Sequence, residues 1–177
     1  MYFVHYFSPI GRLLLTSTGE ALTGLWIEKQ KYYADTVPVD LCEKADLPIF
    51  KAASSWLDAY FNKEQPGPFQ YSLAPHGGSF RQRVWKILCD IPYGQVMTYG
   101  QIARQIATRT GKNMSAQAVG GAVGHNPISI IIPCHRVVGT NGSLTGYAGG
   151  IDTKIKLLTL EGVDMSYLFR PTKGTAL

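Results

Sequence analysis

At 177 residues and 19.4 kDa, the chain has room for one domain, or for a small one joined to a larger one. It is 45% hydrophobic and only 16% charged, enough to build a packed core, which excludes a disordered tail. The net charge of +5 and pI near 9.1 favour an anionic partner such as nucleic acid, but charge says nothing about fold.

The opening stretch "MYFVHYFSPIGRLLL" lacks a basic segment followed by a sustained apolar one, so no signal peptide is expected. No apolar run approaches the ~20 residues that cross a bilayer, so no membrane association is expected. "YFVHYF", "GRLLLTST" and "ALTGLWIE" read as short strands, with a turn at Ser17–Glu20. In "LPIFKAASSWLDAYF", Ile49, Phe50, Ala53, Trp56, Leu57 and Tyr60 fall at helical spacing. Residues 1–75 are therefore expected to form a small antiparallel sheet with a helix on it, in a supporting role. Three prolines and three glycines between Asn62 and Phe80 read as a connection.

Residues 79–177 are expected to be mostly helical, making the whole α+β. In "SFRQRVWKILCDIPYG", Ser79 reads as a helix cap and Val84, Ile87, Leu88 and Ile91 as the inward stripe, with Cys89 packed beside it. An extended piece follows, then a helix from about Tyr99 or Gly100, the turn "RTGKN", and a second helix over Ser115–Gly124. This spacing reads as a helix-turn-helix, with Arg104, Arg109 and Lys112 clustered on it. The second helix is almost all Ala, Gly and Val, with Gln117 its only long side chain. Gly120 and Gly121 each cost about 1 kcal/mol relative to alanine. Either this helix packs tightly on another, or its small-residue face presses against a nucleic-acid groove.

"ISIII" reads as a strand buried on both faces and ended by Pro133, which sets Cys134 where the strand stops. Neighbouring strand residues point to opposite faces, so His135 serves Cys134 only if the chain turns there or a water bridges them. A free thiol has a pKa of about 8.5, and apolar burial raises it. On "PCH" alone, core filling and nucleophile both stand, core filling being the simpler. The three cysteines, Cys42, Cys89 and Cys134, form no CxxC pair, which fits a reducing cytosol and no disulfide scaffold. His5, His76, His125 and His135 are scattered without ligand spacing, so no metal is expected. Ordinary turn chemistry is expected of His125, and surface or packing roles of His5 and His76.

"AVGGAVGHNPISIIIPCHRVVGTNGSLTGYAGG" followed by "KLLTLEG", together with "IPYGQVMTYGQIA", closely resembles the active-site region of the O6-alkylguanine-DNA alkyltransferases, also called methylated-DNA–protein-cysteine methyltransferases. The resemblance spans residues 80–162. It implies that Cys134 accepts an alkyl group from O6 of a damaged guanine in one irreversible displacement. His135 would act on the thiol through a water, with Glu161 orienting it from the last helix. Asn126 would bridge the helix-turn-helix to the active-site segment, and Tyr99 would contact the extruded nucleotide and assist its rotation. Tyr147, Ala148 and Gly149 would line the pocket for the flipped base. Val137, Arg136 and, on the second helix, Ala116, Gln117, Ala118 and Gly120 would complete the substrate and DNA contacts. The implied partner is double-stranded DNA bound through its minor groove, with O6-alkylguanine flipped out, by a cytoplasmic monomer without cofactor.

Two positions depart from the family pattern. Gln117 stands where many members have the arginine that fills the gap left by the flipped base, and Ala148 stands where some have a serine. Weaker or slower DNA engagement is expected from the first, and a little extra room for larger alkyl groups from the second. The rival reading is a non-catalytic alkyl-damage-binding protein of the same fold, but such relatives lack the acceptor cysteine. A cysteine hydrolase would leave the helix-turn-helix unexplained.

Overall fold

The computed structural model describes residues 1–172 and divides into two compact units. Met1–His76 form the first together with Pro127–Ile131; Gly77–Asn126 and the chain from Ile132 onward form the second. The boundary falls within the expected connection. The short 127–131 segment, however, belongs to the first unit, which a linear division at residues 75 and 79 does not capture.

In the first unit, β1 (Tyr2–Ser8), β2 (Gly11–Ser17), β3 (Leu22–Ile27) and β4 (Cys42–Glu43) make a sheet of order β3-β2-β1-β4. The β1–β2 and β2–β3 pairs are antiparallel, as expected. The two-residue β4 adds a parallel edge to β1, and "CE" carries no pattern that would have revealed it. Leu13–Leu15 in β2 and Leu25–Ile27 in β3 are continuously buried, because these apolar runs are covered on both faces. Helix α1 (Pro48–Phe61) buries Ile49, Phe50, Ala53, Leu57 and Tyr60, while Trp56 is half-buried and donates its Nε1–H to Gly67 O at 2.8 Å.

Two extended segments satisfy the outer edge of β3. Leu22 N–H donates to Ser72 O and Ala74 N–H to Leu22 O; Leu25 N–H donates to Pro127 O and Ser129 N–H to Leu25 O, both at 2.8 Å. The second contact corrects the expectation for "ISIII". Ile128 makes a single bridge to Leu25, and the chain then turns, with Ile130 at φ +70° and Ile131 N–H bonded back to Ser129 O. The run is apolar because Ile128, Ile130, Ile131 and Ile132 are all buried, not because it extends a ladder. A β-branched residue in the left-handed region is rare, so this burial outweighs the backbone preference.

The second unit holds α2 (Ser79–Cys89), β5 (Met97–Thr98), α3 (Tyr99–Thr110), α4 (Ala116–Gly124), a 3₁₀ turn at Cys134–Arg136, β6 (Val137–Val138) and α5 (Ile151–Leu160). Val84, Ile87, Leu88 and Ile91 are buried as expected, joined by Trp85, whose indole N–H reaches Ala122 O at 2.9 Å. Two details of α2 differ. Gly78 is the N-cap and Ser79 the first helical residue, with no side-chain cap bond; Cys89 is the last helical residue and is exposed, not packed.

The helix-turn-helix forms, and its ends explain why. Thr98 caps α3 in a full capping box: its Oγ1 accepts from Gln101 N–H at 3.1 Å, and Gln101 Oε1 accepts from Thr98 N–H at 2.7 Å. Gly111 closes the helix in the left-handed conformation, and Ser115 Oγ then caps α4 by accepting from Ala118 N–H. Strand β5 pairs in parallel with β6, tying the start of α3 to the residues just after Cys134. Val138, Leu144, Leu158 and Val163 form the core behind this pairing. Among the described residues, no helix is long and apolar enough to cross a membrane.

Candidate active site

The chain turns at Cys134. The 3₁₀ turn over Cys134–Arg136, entered by a Cys134 N–H bond to Ile132 O at 2.8 Å, replaces the strand end expected there. Cys134 is 3% exposed. Asn126 Nδ2 donates both to Ile132 O at 2.8 Å and to Cys134 Sγ at 3.1 Å, so the residue that ends the α4 segment holds the thiol directly. Burial pushes the Cys134 thiol up to about 11. The Asn126 bond, the Lys154 ammonium and the backbone N–H groups of Cys134 and His135 work against that rise by favouring thiolate.

The same turn sends His135 inward, fully buried, with Nε2 at 2.6 Å from Glu161 Oε1. Glu161 caps the C-terminus of α5, as expected of a residue arriving from the last helix. Its carboxylate also accepts from Arg136 Nε at 2.8 Å (Oε2), from Arg136 NH2 at 3.0 Å (Oε1), and from Gly94 N–H at 3.2 Å (Oε2). Burial would raise this carboxyl; the hydrogen bond from His135 and the bonds and charge of the Arg136 guanidinium hold it instead at about 2. Burial lowers the His135 pKa, with Glu161 working in the opposite sense, so the imidazole rests neutral beside an ionised carboxylate.

Arg136 and Val137, expected among the substrate and DNA contacts, have buried side chains. Val137 is fully buried in β6, and Arg136 is 8% exposed, its remaining bond running from NH1 to Ile91 O at 2.6 Å. A cation beside a nucleophile reads as an outward contact from sequence alone; here a buried carboxylate of the same site claims it.

Sequence reasoning missed Lys154. It is wholly buried, and Nζ donates to Val137 O and, at 3.0 Å, to Thr145 O. Burial brings its pKa down from 10.5 to about 7. The signal was present: Lys154, Leu157, Leu158 and Glu161 follow i, i+3, i+4, i+7 spacing, so a lysine and a glutamate share the apolar stripe of α5. Charged residues on an inward stripe are almost never fully buried without partners.

Tyr99 opens α3, is buried, and donates its hydroxyl to Thr145 O at 3.0 Å. Gly146 permits this approach, since a Cβ there would lie 2.5 Å from the Tyr99 hydroxyl and its φ is +79°. Tyr147 sets its ring edge-on to His135, centroids 6.4 Å apart. Among the described residues its buried hydroxyl has no hydrogen-bond partner, and burial raises its pKa well above 10.0. Ala148 and Gly149 follow, half-buried. On α4, Val119, Ala122 and Val123 face inward, while Ala116, Gln117 and Ala118 are exposed. A Cβ on Gly120 would meet the Tyr99 ring at 3.8 Å, an ordinary contact; one on Gly121 would meet nothing within 4 Å. Packing thus supplies no reason for Gly121. His125 Nδ1 lies 2.7 Å from Gly121 O, the turn chemistry expected of it.

A buried thiol beside a histidine–carboxylate pair, with a helix-turn-helix exposing small residues, suits nucleophilic chemistry on a nucleic acid. Comparison with known proteins points the same way. The DNA-binding domain of 6-O-methylguanine DNA methyltransferase matches residues 79–163, and the ribonuclease-like domain of the same family matches residues 1–75. The methylated-DNA–protein-cysteine methyltransferase of Haemophilus influenzae is 41% identical over 99% of this chain and 93% of its own length. That of Methanosarcina acetivorans is 45% identical over 92% of this chain and 99% of its own. Among solved structures, Mycobacterium tuberculosis OGT in complex with DNA is similar at a TM-score of 0.79 and 44% identity, covering 91% of this chain and 92% of that one.

Proposed function

Because the chain belongs to the 6-O-methylguanine DNA methyltransferase family, we propose that it repairs O6-methylguanine in double-stranded DNA by moving the methyl group irreversibly onto Cys134. The observation that carries this reading is the thiol of Cys134 held at 3.1 Å by Asn126, next in the chain to a histidine bonded at 2.6 Å to an ionised glutamate.

The chemistry follows from those contacts. A thiol raised to about 11 rests protonated and needs a base when it reacts. With Nε2 engaged by Glu161, His135 acts from Nδ1 and takes the proton, and Glu161 stabilises the imidazolium that forms. The sulfur attacks the methyl carbon, a new C–S bond forms, and the C–O6 bond breaks. The electron pair passes to guanine, which then takes up a proton. The fraction of Lys154 that is protonated at neutral pH, its pKa being about 7, favours thiolate and steadies the sulfur as the proton leaves. The thioether is stable, so each molecule acts once.

O6 lies within the base stack and comes within reach of a buried thiol only after the nucleotide flips out, at a cost of a few kcal/mol. Tyr99 and the loop Tyr147–Gly149 line the pocket that receives it. The Tyr147 hydroxyl, buried and without a partner among the described residues, is a donor for the incoming base. Helix α4 enters the minor groove with Ala116, Gln117, Ala118 and Gly120 toward DNA, and the open space over Gly121 supports a close backbone approach. The protein works as a monomer in the reducing cytoplasm, where its three free cysteines stay reduced.

The test is intact mass after mixing the protein with a duplex carrying one O6-methylguanine. A gain of one methyl group, located on Cys134 and absent from Cys134→Ala, is expected. Binding of the damaged duplex with no gain in mass would replace this reading with a non-catalytic damage sensor.

A further inference from the structure

Glu161 does not serve His135 alone. Each of its oxygens also accepts a hydrogen bond from the same guanidinium, Nε to Oε2 at 2.8 Å and NH2 to Oε1 at 3.0 Å. This is the two-pronged geometry that only arginine offers a carboxylate. The arginine is itself fixed from outside the pair. NH1 donates to Ile91 O at 2.6 Å, the guanidinium lies over the Tyr93 ring at 5.8 Å, and the Tyr93 hydroxyl donates to Leu160 O at 3.2 Å. Gly94 N–H closes the cradle on Glu161 Oε2; a Cβ at Gly94 would lie 3.1 Å from Glu161 O, so the turn sits against the carboxylate's own backbone.

From this geometry we infer that Arg136 is a positioning residue for alkyl transfer: it holds the Glu161 carboxylate in place and in its charged form, so that the proton leaving Cys134 stops on His135. The inference rests on the methyl-transfer reading above. A buried glutamate facing only an imidazole would readily take the proton itself, and His135 would lose the anion that supports its positive form. With the guanidinium across both oxygens, the carboxylate stays an acceptor. The other titratable groups facing Glu161 are His135, Tyr93 and Tyr147; Lys154 faces His135, and Cys89 lies near enough to sense Arg136. Arg136 is the fixed cation bonded to the carboxylate itself.

The experiment is the pH dependence of single-turnover methyl transfer from an O6-methylguanine duplex, read by intact mass. It compares the native protein, Arg136→Lys and Arg136→Met, each with and without the further substitution Glu161→Gln. Removing the guanidinium should move the acid limb of the rate profile upward by about 1–3 pH units, the range an adjacent cation imposes on a carboxylate. The neutral-pH rate should fall by roughly 10–100-fold, as for a weakened general base. Arg136→Lys, which keeps the charge and loses one prong, should recover part of both. In the presence of Glu161→Gln, Arg136→Lys should change neither. A profile in Arg136→Lys that superposes on the native one, or an equal loss with and without Glu161, overturns the inference and leaves Arg136 a structural residue. If Arg136→Met does not fold, Arg136→Lys alone and combined with Glu161→Gln still decides. Absence of transfer by the native protein would be the failure of the methyl-transfer reading instead.

Discussion

Gln117 is the only long side chain on the exposed face of α4, and it is neutral. Each cation set against a phosphate releases counterions and makes binding about 0.9 steeper in log–log salt dependence. Gln117→Arg is therefore expected to tighten binding to an O6-methylguanine duplex and steepen its salt dependence by about that amount, measured by titration at several ionic strengths; unchanged affinity and slope would dismiss Gln117 as the reason for weaker engagement. Cys134, His135, Glu161 and Asn126 were legible as a set because the short strings that hold them resemble the alkyltransferase active site; "PCH" alone left core filling the simpler reading. Lys154 could be read only from its place on the apolar stripe of α5, and Arg136 not at all, since nothing local in "PCHRV" tells a buried cation from a solvated one. Only the partners, separated from Arg136 by 25 and 45 positions, decide it.

At the level of elements, helices were easier to read than extended pieces. α1, α2, α3 and α4 announce themselves by apolar spacing and by turn residues between them. β4, β5 and β6 are two residues each, too short for any period to show. "ISIII" misled for a related reason: β-branched apolar residues signal burial, and a strand is one way among several to achieve it. The start of α3 carries particular weight because the same residues supply β5, the cap and Tyr99. Loss of a threonine cap costs about 1 kcal/mol, within a 0.5–2 range. Thr98→Ala should lower stability by that amount in denaturant titration. It should also slow methyl transfer while leaving undamaged-duplex affinity intact, because the cap fixes Tyr99 and not α4.

For the molecule as a whole, the buried charges set how stability follows pH. The Glu161 pKa is depressed from 4.5 to about 2, so the native state keeps this group ionised after the unfolded chain has taken up a proton. That contribution is complete above pH 4.5 and is lost as pH falls through 2. Lys154 is depressed from 10.5 to about 7: between those values the unfolded chain holds a proton that the native state lacks, and stability rises with pH. Cys134 opposes it between 9 and 11, where the native state retains a proton the unfolded chain has lost. Denaturant titrations should therefore show stability climbing from pH 7 to 9 by up to about 1.4 kcal/mol per pH unit. The climb should be absent in Lys154→Met.

The return of Pro127–Ile131 to β3 has a consequence for how the protein is made and divided. A ribosome that has released only the first 76 residues has delivered most of the first unit but not the segment that bonds to Leu25, nor the isoleucines that follow it. That unit waits for the helix-turn-helix to be synthesised before its last edge can close. For the same reason a single cut near residue 76 does not yield two whole parts: one fragment lacks an edge, and the other carries five residues that belong elsewhere. Partition of such a chain by truncation, fusion or gene splitting has to respect a boundary that the backbone crosses three times.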